Sequence, residues 1–112
     1  MAAFSPDEDE FQTILKDSKE GGPREAGRYL ASVTVQDLEM DDFKEMADEG
    51  QIPDEVNEWL SQAGVEKGQA KQIRRGFKSR ISELLDSLER SKSWEGFSGL
   101  SEGDRWLEIR KR

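Results

Sequence analysis

Residues 65–91 read VEKGQAKQIRRGFKSRISELLDSLERS and form the longest sustained helical pattern of the chain. Apolar side chains recur in it at spacings of three and four residues: Ala70, Ile73, Phe77, Ile81, Leu84 and Leu88, with Leu85 widening the stripe. This is the 3.6-residue period of an amphipathic helix that turns its apolar face to a core. The pattern therefore predicts one long helix around which the rest of the chain is organised.

A basic ridge borders this apolar face. It consists of six cationic residues: Lys67, Lys71, Arg74, Arg75, Lys78 and Arg80. At about 100° per residue, the first five fall within an arc of about 100° beside the stripe. Gly76 lies among them, and glycine inside a helix costs about 1 kcal/mol relative to alanine. Its presence predicts that a partner or a neighbouring helix approaches the backbone closely there.

The charge of the chain is divided unequally between its two halves. Residues 1–64 hold 17 acidic and 5 basic residues, net −12, whereas residues 65–112 hold 8 acidic and 12 basic residues, net +4, which together give −8. This asymmetry predicts either a charged partner or packing of the two halves against each other. The periodic apolar residues and the aromatic side chains indicate a folded centre despite the high charge content.

Capping and turn residues divide the remainder of the chain into shorter helices. The predicted boundaries are Ser5, Pro23, Thr34 and Pro53 at N-terminal ends and Gly21-Gly22, Gly50 and Gly64 at C-terminal ends. The segment 32–36 is predicted to be a turn between the second and third helices. Ser101 and Asp104 predict a last short helix, although the alternation of RWLEI at 105–109 is also that of a strand.

These elements predict an all-α fold, a compact bundle of about five helices with its long helix in the C-terminal half. A length of 112 residues suits a single helical domain, 1–112, with 1–5 and 108–112 frayed. The Gly/Ser-rich tail, residues 92–112, is expected to be loosely ordered. Its aromatic residues would form either an apolar lid over the bundle, which we favour, or an exposed binding patch: Trp94, Phe97 and Trp106.

The residue inventory argues against catalysis. The chain has no histidine and no cysteine, so the commonest general base and the thiol nucleophile are both absent. With 25 carboxylates in 112 residues, close acidic pairs arise by chance, and no other polar cluster accompanies any of them. We therefore expect a protein that is not an enzyme and that uses no cofactor.

The acidic segment that begins at Asp37 has the alternation of a calcium-binding loop but lacks its key residues. Such a loop needs Gly at its sixth position and a bidentate Glu at its twelfth. This chain has Asp42 and Asp48 at those positions, and the apolar residues between the acids are spaced as in a helix face. The sequence predicts an acidic helix here and no metal site.

One short stretch resembles a known DNA-binding element. Leu60–Ile73 reads LSQAGVEKGQAKQI, in which Gly64, Val65, Ala70 and Ile73 match the helix-hairpin-helix motif. Glu66 stands where that motif has its second glycine. The resemblance implies that backbone N–H groups of the hairpin would hold a nucleic-acid phosphate. The stretch is also similar to a helix-turn-helix, which would place these side chains on its second helix: Lys67, Gln69, Lys71 and Gln72.

An acidic face is the second candidate binding surface. It contains Asp37, Asp41, Asp42, Glu45, Asp48 and Glu49. We expect a small acidic protein-interaction module of adaptor or inhibitor type, in which such a face binds a charged partner. The alternative is a nucleic-acid-binding module that uses the basic ridge. A third reading needs no partner, because the ridge and the acidic helices would pair with each other inside the bundle.

No segment has the pattern of a signal peptide or a transmembrane helix. We therefore expect a soluble, cytoplasmic protein with a protein partner, with nucleic acid as the alternative partner and without membrane association. Phe77, Ile81, Leu84 and Leu88 are also spaced as the seam of a homodimer, although the pattern is short for one.

Overall fold

The computed structural model describes residues 6–17, 19, 21–36, 38–91 and 99–110. Within these ranges the chain forms six α-helices and no strand: α1 (Glu8–Lys16), α2 (Pro23–Val35), α3 (Met40–Glu49), α4 (Asp54–Gln62), α5 (Lys67–Arg90) and α6 (Glu102–Arg110). The all-α prediction and the long helix are confirmed. The predicted number of about five helices is corrected to six, because residues 102–110 fold as a helix and not as a strand.

Helices α2 and α5 form the central pair of the fold. They cross at a glycine of each helix, Gly27 of α2 and Gly76 of α5. A Cβ atom on Gly27 would lie 2.7 Å from the carbonyl carbon of Ile73, and one on Gly76 would lie 2.8 Å from that of Arg24. The close backbone approach that Gly76 predicted is therefore made by a neighbouring helix of the same chain.

The core lies along the apolar face of α5. All six of its predicted apolar positions from Ala70 to Leu88 are buried. The other helices each contribute buried side chains: Phe11 from α1, Ala26, Leu30, Ala31 and Val35 from α2, Phe43 from α3, Val56 and Leu60 from α4, and Trp106 and Ile109 from α6. Phe11 packs edge-on against Trp59 with ring centroids 4.8 Å apart. The amphipathic pattern of residues 65–91 thus locates the core correctly.

The predicted turn at 32–36 is wrong, because α2 continues through Val35. Ala31 and Val35 are fully buried, and burying both requires the helix to extend that far. Thr34 caps no helix; its hydroxyl donates to the Leu30 carbonyl within α2 at 2.8 Å. Glu39 is the residue that precedes α3.

The first helix begins at Glu8 and is capped by Asp7, so its predicted start at Ser5 is corrected. The Asp7 carboxylate accepts a hydrogen bond from the backbone N–H of Glu10 at 3.1 Å. The Asp7 N–H donates to the hydroxyl of Tyr29 at 3.0 Å, which joins the start of α1 to α2. Ser5 itself lies outside the described residues.

The predicted boundaries of α2, α3 and α4 are otherwise confirmed. Pro23 begins α2, Gly50 ends α3 with a φ of 63°, and Gly64 follows α4 with a φ of 73°. Both glycines occupy the left-handed conformation in which a side chain is strained. The fourth helix was predicted over Asp54–Ala63, and α4 ends one residue earlier, at Gln62.

Helix α6 closes the end of the bundle against α3 and the α2–α3 turn. Trp106 is buried and stacks on Phe43 with ring centroids 4.2 Å apart. Its indole Nε1 donates to the Leu38 carbonyl at 2.8 Å, and Arg110 donates to the same carbonyl at 2.7 Å. Trp106 is therefore part of the core.

The other two aromatic residues of the expected lid, Trp94 and Phe97, lie outside the described residues. The ends 1–5 and 108–112 were expected to be frayed. Residues 1–5, 111 and 112 lie outside the described residues, whereas residues 108–110 belong to α6.

Candidate functional site

Five cations form an exposed row on one side of α5, which we call the cation row: Lys67, Lys71, Arg74, Arg75 and Lys78. The row is about 16 Å long, because Lys67 and Lys78 are eleven positions apart and a helix rises by about 1.5 Å per residue. Arg80, the sixth residue of the predicted ridge, is not part of it. Arg80 is half-buried and lies about 200° around the helix from Lys78, where its charge acts on Glu83.

The cation row has no carboxylate partner among the described residues. Arg74 donates from its Nε to the Oδ1 of Asn57 on α4 at 3.1 Å, which ties one member of the row to the neighbouring helix. The three ion pairs among the described residues lie elsewhere: Arg28 with Glu25, Arg28 with Glu83, and Lys44 with Glu102. The positive charge of the row is therefore left facing solvent in the described part of the chain.

The acidic face on α3 is also exposed. Its described members fall within an arc of about 120° by helical geometry: Asp41, Asp42, Glu45, Asp48 and Glu49. The opposite side of α3 packs inward through Phe43, with Met46 and Ala47 half-buried beside it. Asp37 lies outside the described residues.

Within the described ranges, no ion pair joins the acidic face to the cation row. Lys44 of α3 pairs with Glu102 of α6 at 3.4 Å, at the side of the acidic face. The reading in which the two charged surfaces neutralise each other within the bundle therefore has no supporting contact in this part of the chain.

A cleft lies between the C-terminal end of α3 and the middle of α5. Its volume is about 200 Å³, and its walls come from both helices: Met46, Ala47, Gly50, Gln51, Phe77, Lys78, Ile81, Ser82 and Leu85. Sequence reasoning missed this cleft, because the partner of α5 at this point is set by tertiary packing. The one local signal was Leu85, which widens the apolar stripe toward the cation row.

The shifted pKa values belong to a structural contact between α2 and α5. Arg28 forms a bidentate pair with Glu83, in which Nη2 lies 3.2 Å from Oε1. The hydrogen bond from Arg28 lowers the pKa of Glu83, and the same bond raises the pKa of Arg28. Burial raises the pKa of Tyr29, against the opposing effect of its hydrogen bond with Asp7. None of these groups lies in the cleft, the cation row or the acidic face.

The stretch that resembles a helix-hairpin-helix forms a helix–turn–helix corner between α4 and α5. Val65 donates to the Leu60 carbonyl at 3.4 Å and Gly64 to the Ser61 carbonyl at 3.3 Å, the bonding pattern of a Schellman turn. Glu66 is exposed directly before α5. Nucleic-acid contact at this corner stays a prediction.

No protein-family model matches the chain, and no curated protein or solved structure matches it either. Among the described residues, no helix combines the length and the apolar character that crossing a bilayer requires. In the same part of the chain, no group of three or more acidic side chains is placed to hold a metal ion. The surfaces of the described chain that bear on function are therefore the cation row, the acidic face and the cleft.

Proposed function

We propose that this chain is a non-catalytic protein-interaction module, of adaptor or inhibitor type, that binds a charged partner through exposed helix faces. One observation carries the proposal: in the described part of the chain, neither the cation row nor the acidic face is neutralised by the other. Each surface therefore keeps its charge for an external partner.

Charged faces of this kind act mainly on association. Complementary potentials steer two proteins together and reject partners of like charge, and the rate gain falls as salt screens the field. A single exposed ion pair contributes only about 0–1 kcal/mol. Specific binding by this protein would therefore need several charges at once, which both five-residue surfaces supply.

Charge reversal tests the role of the acidic face. We expect Glu45→Lys with Asp48→Lys to lose partners that the unmodified chain retains in affinity purification at moderate salt. The matched control is Glu55→Lys with Glu58→Lys, two exposed acids on α4, which should retain them.

The corresponding test of the cation row uses Lys71→Glu with Arg75→Glu. Its control reverses two exposed lysines outside the row, Lys16 and Lys19. Far-ultraviolet circular dichroism shows whether each variant stays helical. If both reversals, on the acidic face and on the row, leave the recovered partners unchanged, the proposal is refuted.

The second candidate function is nucleic-acid binding, and the geometry of the cation row favours it specifically. Five exposed cations along about 16 Å of helix would contact successive phosphates. The logarithm of the binding constant would then fall linearly with the logarithm of the salt concentration, with a slope of about −0.9 for each phosphate contacted on duplex DNA. Labelled single- and double-stranded DNA and RNA at two salt concentrations test this. Salt-sensitive binding that is lost in Arg74→Ala with Arg75→Ala supports it, and no binding at low salt rejects it.

A further inference from the structure

The cleft between α3 and α5 is apolar inside and open to solvent. Phe77 and Ile81 are buried at 1% and 7% exposure and form its floor. Met46, Ala47 and Leu85 are half-buried and form its walls. Its volume of about 200 Å³ is enough for one aromatic ring, because a cavity of about 150 Å³ accommodates benzene.

Lys78 connects this cleft to the cation row. Its side chain lines the cleft, and it is also the last member of the row. The other four cations continue from it toward the N-terminus of α5, one helical turn after another. An apolar cavity and a line of exposed positive charge therefore form one continuous surface.

We propose that the cleft and the cation row together bind an acidic segment of a partner protein that carries one apolar anchor side chain. This inference rests on the protein-interaction function proposed above and specifies the chemistry of the partner. The anchor side chain enters the cleft, where burial of its apolar surface supplies affinity. Carboxylates beside it in the sequence face the row, where they fix the direction and register of the segment.

The dimensions set the length of that segment. An extended chain advances by about 3.3 Å per residue, so about five residues span the 16 Å row. The partner segment is therefore one anchor followed or preceded by about five residues, several of which are acidic. Half-buried Met46 in the wall of the cleft allows anchors of different shape, because methionine adapts its conformation to what it contacts.

The cleft is also the feature that distinguishes a protein segment from nucleic acid. Phosphates would occupy the cation row alone, because the cleft offers an apolar floor and walls to the ligand. A binding mode that needs both surfaces is thus expected of an amphipathic protein segment. Occupation of the cleft by a second copy of this chain is a separate outcome that the experiment below detects.

The test uses fluorescein-labelled peptides and the full chain. The probe has one Phe beside five residues that include three Glu, made in both sequence orders. One control peptide replaces Phe by Ser, and a second replaces each Glu by Gln. We expect one order of the probe to bind about tenfold or more tightly than either control in fluorescence anisotropy.

Three protein variants locate the binding site. Ser82 is exposed and lines the cleft, so Ser82→Trp blocks the cleft without altering the core. Lys71→Glu with Arg75→Glu reverses two charges of the row. Each is expected to weaken probe binding about tenfold or more. Ser32→Trp is the matched control on the exposed side of α2 and should leave binding unchanged. Circular dichroism verifies that all three remain helical.

Each alternative result overturns the inference in a recognisable way. Equal affinity for the Phe and Ser peptides, or no effect of Ser82→Trp, shows that the cleft does not bind the anchor side chain. The proposed binding of a partner through charged faces is unaffected by that result. If no peptide binds, the inference about the cleft is also overturned. The affinity-purification experiment tests the protein-interaction function separately. Duplex DNA that binds more tightly than the probe, and whose binding is weakened by Lys71→Glu with Arg75→Glu but not by Ser82→Trp, assigns the row to nucleic acid. A dimer in sedimentation equilibrium that Ser82→Trp dissociates assigns the cleft to a second copy.

Discussion

The crossing of α2 and α5 gives the sharpest test of the fold. Gly76→Ala adds a single methyl group at the point where α5 meets the backbone of α2. That Cβ would lie 2.8 Å from the Arg24 carbonyl carbon and closer still to its oxygen, whereas an ordinary contact begins at 3.4 Å. Backbone atoms cannot turn aside as a side chain can, so the two helices must separate.

The expected size of the effect combines two opposing terms. Alanine improves helix propensity by about 1 kcal/mol over glycine. Overpacking at a rigid contact costs about 1–3 kcal/mol or more, and here separation also loosens the packing of the buried side chains on both helices. Because the contact is backbone against backbone, we expect the loss to dominate. We predict a net destabilisation of about 1–3 kcal/mol, which lowers Tm by about 4 °C per kcal/mol.

The same helix offers a matched control. Gly68 is exposed in the first turn of α5, and a Cβ there meets no atom within 4 Å. Gly68→Ala should therefore stabilise the protein by about 0.4–1 kcal/mol, mostly by restricting the unfolded chain. Glycine to alanine is thus expected to lower the free energy of unfolding at position 76 and to raise it at position 68 of the same helix.

Urea and thermal unfolding, followed by circular dichroism at 222 nm, measure both variants. Unchanged m-values would show that the difference lies in stability and not in the extent of unfolding. If Gly76→Ala proves as stable as Gly68→Ala, then α2 and α5 do not touch at this point, and the description of the central pair is wrong.

Three further predictions concern contacts made by single side chains. Trp106→Ala should cost about 3–5 kcal/mol, because it empties a buried aromatic site, whereas Leu107→Ala beside it, 40% exposed, should change stability by no more than about 0.5 kcal/mol in the same urea assay. Glu83→Gln should lower stability by no more than about 1 kcal/mol at pH 7, because both partners of the pair are partly exposed. Arg28 lowers the pKa of Glu83, so this contribution is full above the ordinary carboxyl pKa of 4.5 and is lost as pH falls through the lowered value; a difference that persists at lower pH would contradict the pairing. Asp7→Ala should cost about 1 kcal/mol through loss of the α1 cap, and hydrogen exchange should quicken in the first turn of α1; an unchanged rate would contradict the cap.

The proposal for the cleft rests on the proposal that charge recruits a partner, and separate experiments distinguish the failure of one from the failure of the other. Reversal of the acidic face or of the cation row tests whether charge recruits a partner at all. The peptide experiment tests whether the cleft beside Lys78 gives that recruitment an apolar anchor. A partner lost on charge reversal but indifferent to Ser82→Trp would leave a purely electrostatic interaction module.

The sequence by itself determined the parts of this protein that depend on local periodicity and capping. The spacing from Ala70 to Leu88 defined α5 and its buried face, because the period of apolar residues is a property of one helix. Gly50, Pro53 and Gly64 marked helix ends for a similar reason, since their backbone preferences do not depend on distant residues. The alignment of five cations along one side of α5 follows from the same helical geometry.

The predictions that failed were those in which a local signal competed with packing. Thr34 as a capping residue suggested a turn at 32–36, but the burial of Ala31 and Val35 extends α2 through Val35. Ser5 was predicted as the cap of α1, but Asp7 is also a good capping residue, and local preference does not distinguish the two. The hydrogen bond from Asp7 to Tyr29 on α2 accompanies the choice of Asp7.

Only the tertiary structure decided what lies beside each charged surface. Helix periodicity gives the direction of a side chain from its own axis, but it carries no information about which helix covers which face. The backbone contact of Gly76 with α2, the burial of Trp106 and the cleft next to Lys78 all depend on residues far apart in sequence. The sequence therefore determined that a row of cations runs along one side of α5, and the tertiary structure decided that this row faces solvent and that an apolar cleft opens at its end.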